Sequence, residues 1–553
     1  METRRLLLFI VFSFSLIVLW GEWNNRNQPI EKVTHEGATL SIPQPANRPT
    51  IVTPAPVKVA SVVIGEKIKV TTDNFEVEIG TAGGNLQQVT LLKHRETEDK
   101  TKPIILLQQQ VKRTYLAQSG LLGPGLPPHT ANFHAAQKEY RLEAGSDQIK
   151  VVLLPVDEKN AHVIKTYTFH RGSYLIDVSY GIENTGNTLL TPSAYFQFIR
   201  DSGAPEGGYA FIPTYTGPAF YTDADKFKKV EFSSIEKNKP SLPAPADNGW
   251  VGMLQHYFVS AWIPKQGVQR EFYARKLDGE LFSAGVVMSA PDISPGEHAT
   301  ISTQLYVGPA QSKLDEIAPG LGLTVDYGIF TIFATPLFWL MSFINQWVGN
   351  WGFSIILLTV LIKLAFFPLS AASYRSMAKM RMLAPKLEKI KKQYGDDREQ
   401  LNKAMMELYK TEKINPLGGC LPVLIQIPVF IGLYWSILES VELRHAPFIG
   451  WIIALSATDP YFVLPVVMGV SMLVQSRLNP VPADPLQAKI MRIMPIAFSV
   501  IFFFFPAGLV LYSIVNNILS ISQQWYITHG LAFFPLSAAS YRSMAKIDRK
   551  SVV

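Results

Sequence analysis

Lys363 is the one charged residue in the apolar stretch from Trp351 to Leu369, about two-thirds of the way along it. A charge at bilayer depth costs roughly 2.5–3.5 kcal/mol on insertion scales, and such residues mostly face a polar cavity. The simpler alternative is a lysine that snorkels to the headgroups. Against it, the six residues to Leu369 span about 9 Å of helix. Polar companions also stand nearby. Thr359 lies one turn earlier on the same face. Gln426 falls in a second apolar run, Asn516, Asn517 and Ser520 in another, and Gln475 with Arg477 closes a further one. An interhelical hydrogen bond, worth about 0.6 kcal/mol on average, would account for each uncharged residue alone. Several together with a lysine describe a hydrated groove.

Other chemistry is sparsely represented. The single cysteine, Cys420, excludes an internal disulfide and a cysteine-rich metal site, and its apolar surroundings suit packing. His162, His170 and His256 form no recognisable motif with acidic partners. No GxxxxGK[ST] phosphate loop is present, so nucleotide hydrolysis is not expected. The residues offer no catalytic group, no metal site and no cofactor.

The elements that hold these residues follow from charge and period. The 553 residues are 17% charged and 48% hydrophobic, a mixture of membrane and soluble regions. Arg4 and Arg5 precede the apolar run Leu6 to Trp20, and Gly21-Glu22-Trp23-Asn24 is a poor cleavage site. Residues 1–23 therefore read as an uncleaved signal anchor with its N-terminus in the cytoplasm. Residues 24–66, rich in Pro, Asn, Thr and Val, read as a tether. Residues 67–327 alternate. Phe75, Val77 and Ile79 are separated by glutamates, Tyr174 to Ile182 repeats the period, and so does Ile301 to Val307. Many such runs predict a large antiparallel β-sandwich outside the cytoplasm.

Residues 328–350, with Pro336, Trp339 and Trp347, read as an amphipathic helix at the membrane interface. Five spans follow, approximately 351–369, 417–438, 461–478, 493–505 and 508–527. The fourth of these, about 13 residues and roughly 20 Å long, is too short for a 30 Å core and implies local thinning. Between Arg375 and Lys413 there are 11 Lys+Arg against 6 Asp+Glu, which places that loop inside. The net charge of +7 is concentrated in such loops, so the membrane rather than a specific nucleic acid explains it. The fold class is thus a polytopic α-helical membrane protein with six transmembrane helices and a large external β-sandwich. Within the loop, Leu383, Leu387, Ile390 and Tyr394 mark one helical face and Leu401, Ala404, Met405 and Leu408 a second, broken at Gly395-Asp396-Asp397. That is an αα-hairpin over 371–413 with a basic exterior carrying Arg375, Lys379, Arg381, Lys386, Lys389, Lys391 and Lys392. It suits ribosomes, anionic lipid or nascent chains, or serves only as a solvated loop that orients the chain.

Several long segments in order then carry a family resemblance. Met377-Ala378-Lys379-Met380-Arg381-Met382, Asn415-Pro416-Leu417-Gly418-Gly419-Cys420, and Leu424-Ile425-Gln426-Ile427-Pro428-Val429-Phe430 lead the series. Val441-Glu442-Leu443-Arg444, Asp459-Pro460-Tyr461 and Phe505-Pro506-Ala507-Gly508-Leu509-Val510-Leu511-Tyr512 complete it. Residues 1 to about 528 resemble the YidC membrane-protein insertases of Gram-negative bacteria, most densely after 350. The resemblance implies a non-enzymatic insertase of the inner membrane, with a periplasmic β-domain and a five-helix insertase core over 351–529. It also implies a groove open to cytoplasm and lipid, holding one positive charge. Lys363 falls where that charge lies, often an arginine in relatives; the groove set is Lys363, Thr359, Gln426, Asn516, Asn517 and Tyr512. The implied partners are nascent membrane proteins, the Sec translocon and membrane lipids, with the ribosome and the signal-recognition-particle receptor as candidates. The β-domain resembles sugar-mutarotase folds, which does not bring sugar chemistry with it.

Rival readings are a small-solute transporter, which would need inverted repeats or paired broken helices, and an envelope-assembly scaffold acting through the β-domain. Residues 531–546 repeat 364–379 letter for letter, without the flanking similarity of a structural repeat. The closing Asp548 to Val553 can be encoded by GATCGGAAGAGCGTCGTG, which resembles a sequencing-adapter string. Residues 530–553 are therefore expected to be a duplicated, artefactual tail.

Overall fold

The computed structural model describes residues 66–533 except 97–98, 111–112, 204–213, 396, 413–420 and 479–484. The signal anchor, nearly all of the tether, the Asn415 to Cys420 motif and the tail from 534 lie outside the described residues. The chain divides into two compact units, one ending at Val325 and the other beginning at Asp326.

The first unit is built from the alternating segments. Its described strands form two nine-stranded sheets. One runs from an edge at Arg270–Lys276 through Ser193–Asp201 and Arg113–Leu122 to Glu139–Arg141, and its last pairing, with Lys67–Thr71, is parallel. The other is antiparallel throughout and holds Leu175–Asn184 and His298–Pro309 side by side. Two of the predicted alternations meet there: Ile176 pairs with Leu305, Val178 with Thr303 and Tyr180 with Ile301. All six side chains are buried, because matching period-2 faces put both apolar sets on one side of the sheet. Phe75, Val77 and Ile79 are buried in the same way.

This unit also encloses charges that no alternation announces. Arg270 donates to five backbone carbonyls, those of Asp247, Gly249, Pro264, Lys265 and Val268, which offsets the cost of burying its guanidinium. Lys165 is fully buried, with the rings of Phe133, Tyr167 and Tyr180 5.3–5.7 Å from its ammonium.

The second unit is helical: α1 Thr331–Val348, α2 Trp351–Ala365, α3 Phe367–Met382, α4 Ala384–Tyr394, α5 Arg398–Thr411, α6 Leu421–Glu439, α7 Val463–Leu478, α8 Pro485–Phe502 and α9 Ala507–Phe533. Helix α1 buries Ala334, Phe338, Met341 and Ile344 along one stripe and leaves Trp339, Phe343 and Trp347 exposed on the other. A Cβ on Gly432 would come within 2.9 Å of Phe333 Cβ, so that glycine permits the close approach of α6 to α1. Leu433, Ile437, Leu509 and Leu511 join α1, α2 and the 440–462 loop in one apolar core.

Three expectations about the spans change. The helix expected over 351–369 stops at Ala365 and turns by 67° into α3. Pro368 explains the break, since it has no N–H to continue the α2 ladder and suits the first turn of a new helix. The short span expected at 493–505 belongs to an 18-residue helix, Pro485–Phe502, whose apolar part is only Ile493–Phe502. Among the described residues no single helix is long and apolar enough to cross a membrane by itself; the bent pair α2–α3 reaches that length and apolar composition only when its two helices are counted together.

The hairpin halves are α4 and α5, with α3 leading in. Asp397 caps α5 by accepting from Glu399 N and Gln400 N at 3.0 and 3.1 Å, as expected of the break that separates the two apolar faces.

Candidate functional site: a lysine-bearing groove

The placement of Lys363 begins at the N-terminal cap of its helix. Asn350 caps α2 through its side-chain oxygen, which accepts from Gly352 N and Phe353 N at 2.9 and 3.2 Å. Lys363 then falls in the last turn of α2, just before the break. It lines a small open pocket with Ile362, Phe366, Leu369, Ser370, Ile425, Gln426 and Val429. Lys363 is the one charged residue in that lining.

A polar stripe on α9 hydrogen-bonds to two of the lining residues, Lys363 and Gln426. Tyr512, Asn516 and Ser520 recur every four residues and so share a helix face. The Lys363 ammonium donates to Ser520 Oγ at 2.7 Å, and Ser520 Oγ donates to the Asn516 carbonyl at 2.7 Å. Gln426 Nε2 donates to Tyr512 Oη at 3.2 Å and also to Asn516 Oδ1. Helices α2, α6 and α9 are thereby joined through one network around the pocket.

Two of the expected groove residues point elsewhere. Thr359 is 1% exposed and its hydroxyl donates to the Ile355 carbonyl of its own helix at 2.7 Å. Asn517 is buried against α7, donating to Ser471 Oγ at 3.1 Å and to Met468 Sδ at 3.6 Å. One residue of helix is a rotation of about 100°, so the adjacent Asn516 and Asn517 cannot both face the pocket. Tyr512 is 1% exposed and belongs to the network behind the surface rather than to the lining. Ser520, only one polar companion among several in the sequence, is the direct partner of Lys363. The signal that singles it out is the four-residue repeat with Tyr512 and Asn516.

The basic residues of the hairpin region fall on α3 and α4. Arg375, Lys379 and Arg381 are exposed on α3, Lys386, Lys389 and Lys392 are exposed on α4, and Lys391 is half-buried there. Lys386 pairs with Glu412 at 2.6 Å and Lys392 with Glu388 at 3.4 Å, exposed pairs worth roughly 0–1 kcal/mol each. Such pairs add little to stability and leave the exposed faces of α3 and α4 basic.

Among the described residues no group of three His, Cys, Asp or Glu is placed to hold a metal. Two of the three histidines that form no motif in the sequence have an acidic neighbour in space: His170 Nε2 lies 2.6 Å from Asp177 Oδ2, and His162 Nδ1 lies 3.1 Å from Glu158 Oε2. Strand register explains the first pair, since Asp177 sits opposite Thr168 and is therefore a diagonal neighbour of His170. His256 stacks on Tyr257.

Residues 67–340 match the YidC periplasmic domain and residues 343–532 match the 60Kd inner membrane protein family. A Membrane protein insertase YidC from Nitrosospira multiformis is 51% identical over 552 residues, covering 96% of this chain and 97% of its own. The chain belongs to the YidC membrane protein insertase family. The YidC of Methylobacillus flagellatus is 52% identical over 541 residues, covering 95% of this chain and 97% of its own. An active YidC insertase crystal structure with the first transmembrane domain resolved covers 85% of this chain and 93% of its own at 18% identity, with a TM-score of 0.39. As a YidC-family protein, the chain combines a periplasmic β-rich domain of two sheets with a helical C-terminal region. The YidC relatives are insertases and not enzymes, which agrees with the absence of a catalytic motif in the sequence.

Proposed function

We propose that this chain inserts nascent membrane proteins into the inner membrane by way of the pocket beside Lys363. The observation that carries the reading is a lone ammonium in a pocket otherwise lined by uncharged, mostly apolar side chains. There a charge acts through a lower effective dielectric than in water and attracts an acidic residue more strongly. The polar end of a substrate segment enters the pocket and is held by the Lys363 ammonium. The apolar part then moves into lipid, gaining about 25 cal/mol per Å2 of apolar area removed from water. No covalent bond changes, so the work is sorting and stabilisation.

The surroundings fit this use. Val466, Val467, Val470 and Val474 on α7 and Ile493, Ile496 and Val500 on α8 are exposed large apolar side chains, suited to lipid contact. The apolar part of α8, ten residues from Ile493 to Phe502, covers only about 15 Å, so the bilayer beside it thins. The exposed Trp339 and Trp347 of α1 suit the headgroup level. The topology proposed with this reading is six spans with both ends inside, the one over 351–369 broken at Phe366. The basic field on α3 and α4 receives anionic lipid headgroups and ribosomal or signal-recognition-particle-receptor surfaces, and the Sec translocon supplies other substrates.

The test is insertion of a small one- or two-span protein into proteoliposomes holding this chain, scored by protease protection. Wild type and Lys363→Arg are expected to insert, and Lys363→Glu to fall at least tenfold, which corresponds to about 1.4 kcal/mol. Insertion by Lys363→Glu equal to wild type would end the charge mechanism, and empty liposomes equal to wild type would end the insertase reading.

A further inference from the structure

The chain places a lysine in the groove, and a lysine is a point charge on a four-carbon stem that loses rotamer freedom when it is held in one place. Something must aim it. Ser520 is 3% exposed and lies within hydrogen-bond reach of Lys363 on one side and of its own helix on the other. A serine hydroxyl carries one donor and two acceptor lone pairs. Its proton goes to the Asn516 carbonyl at 2.7 Å, so toward Lys363 the oxygen acts as an acceptor. The Tyr374 phenol of α3 is a second hydrogen-bonding neighbour of Ser520. The serine therefore sits where α2, α3 and α9 converge, and Asn516 links it to Gln426 on α6.

We infer that Ser520 is a positioning residue that fixes the Lys363 ammonium at the groove wall and so sets the preference for substrates whose leading polar segment carries a carboxylate. The inference rests on the insertase reading and adds a selectivity determinant to it. Among the described residues Lys363 has no carboxylate partner within ion-pair distance. One of its three N–H donors is used by Ser520, which leaves two for a substrate carboxylate. Without the serine oxygen the ammonium is free to swing along its stem, and a carboxylate meets a diffuse charge instead of a placed one.

The experiment compares two forms of one test substrate in proteoliposomes holding the full chain, one with an aspartate in its leading segment and one with asparagine there. In Ser520→Ala, insertion of the aspartate form is expected to fall about three- to tenfold, the size of one typical net hydrogen bond. The asparagine form should change less than twofold, and Ser520→Thr should restore the aspartate form because it keeps the oxygen. Ser520→Cys, close in size and a weak acceptor, serves as a second variant if the alanine protein does not fold. An equal fall for both substrates would assign Ser520 a purely structural role and overturn the inference. So would unchanged insertion of the aspartate form, or failure of threonine to restore it. Wild-type protein that inserts neither form above empty liposomes would instead overturn the insertase reading itself.

Discussion

Gln426 donates to the phenol of Tyr512 at 3.2 Å, across 86 positions of sequence and between two helices that flank the groove. Gln426 also donates to Asn516 Oδ1, so one carboxamide ties two members of the α9 stripe to α6. Gln426→Leu should leave the buried Tyr512 hydroxyl without its donor and lower the stability of the helical unit by about 1–3 kcal/mol. Tyr512→Phe in that background should recover part of the loss, because the stranded hydroxyl is then gone. Thermal unfolding of the detergent-purified chain decides it, and an unchanged melting temperature in Gln426→Leu would remove the network from the account.

Lys165 leads to a pH-dependent prediction for the β-rich unit. Its ammonium lies 3.3 and 3.4 Å from the carbonyls of Gly83 and Ser119, and burial pushes its pKa well below 10.5. Since the folded value is the lower one, the unfolded chain binds the extra proton between the two values. Stability therefore rises with pH across that window and falls again as pH drops toward the folded pKa, by up to about 1.4 kcal/mol per pH unit. Lys165→Met should stabilise the unit and flatten the slope between about pH 9 and pH 10, just below the unfolded value. Urea unfolding of the full chain at those two pH values, followed by protease resistance of the β-rich unit, measures both effects. A mutant with the wild-type slope would show that another group is responsible.

Arg270 makes the opposite prediction about charge type. Its planar fork reaches five carbonyls at once, and an ammonium carries only three donors with no fixed plane. Arg270→Lys should therefore destabilise the β-rich unit by roughly 2–4 kcal/mol despite keeping the charge. Protease resistance under rising urea is the readout; resistance equal to wild type would mean the fork is dispensable.

Asp459 locks the loop that joins α6 to α7. Its Oδ1 accepts from Trp451 Nε1 and Tyr461 N, both at 3.0 Å, and its Oδ2 accepts from Leu464 N at 2.8 Å. The same loop delivers Leu443, Ala446, Ile452 and Leu455 to the helical core. Asp459→Asn replaces one acceptor with a donor facing N–H groups and should cost about 1–3 kcal/mol. Cleavage between residues 441 and 462 by added protease should become faster in the mutant than in wild type. Equal cleavage rates would place the loop's rigidity in its apolar contacts instead.

Local period and charge by themselves determined a good deal. Phe75, Val77 and Ile79, and the runs around Val178 and Thr303, read as half-buried strands because a period of two is a property of a short segment. The lone charge at Lys363 and the Gly395 to Asp397 break between two apolar helical faces were legible for the same reason. Only the tertiary structure decided which polar residues share the groove. It turned Asn516 toward Gln426 and Asn517 toward Ser471, it gave Lys363 a partner 157 positions away, and it bent the chain by 67° beside that lysine. It also buried Lys165 and Arg270 among side chains and carbonyls from distant strands. Helix rotation and strand neighbours are set by packing between remote segments, and such packing leaves no periodic trace within either segment alone.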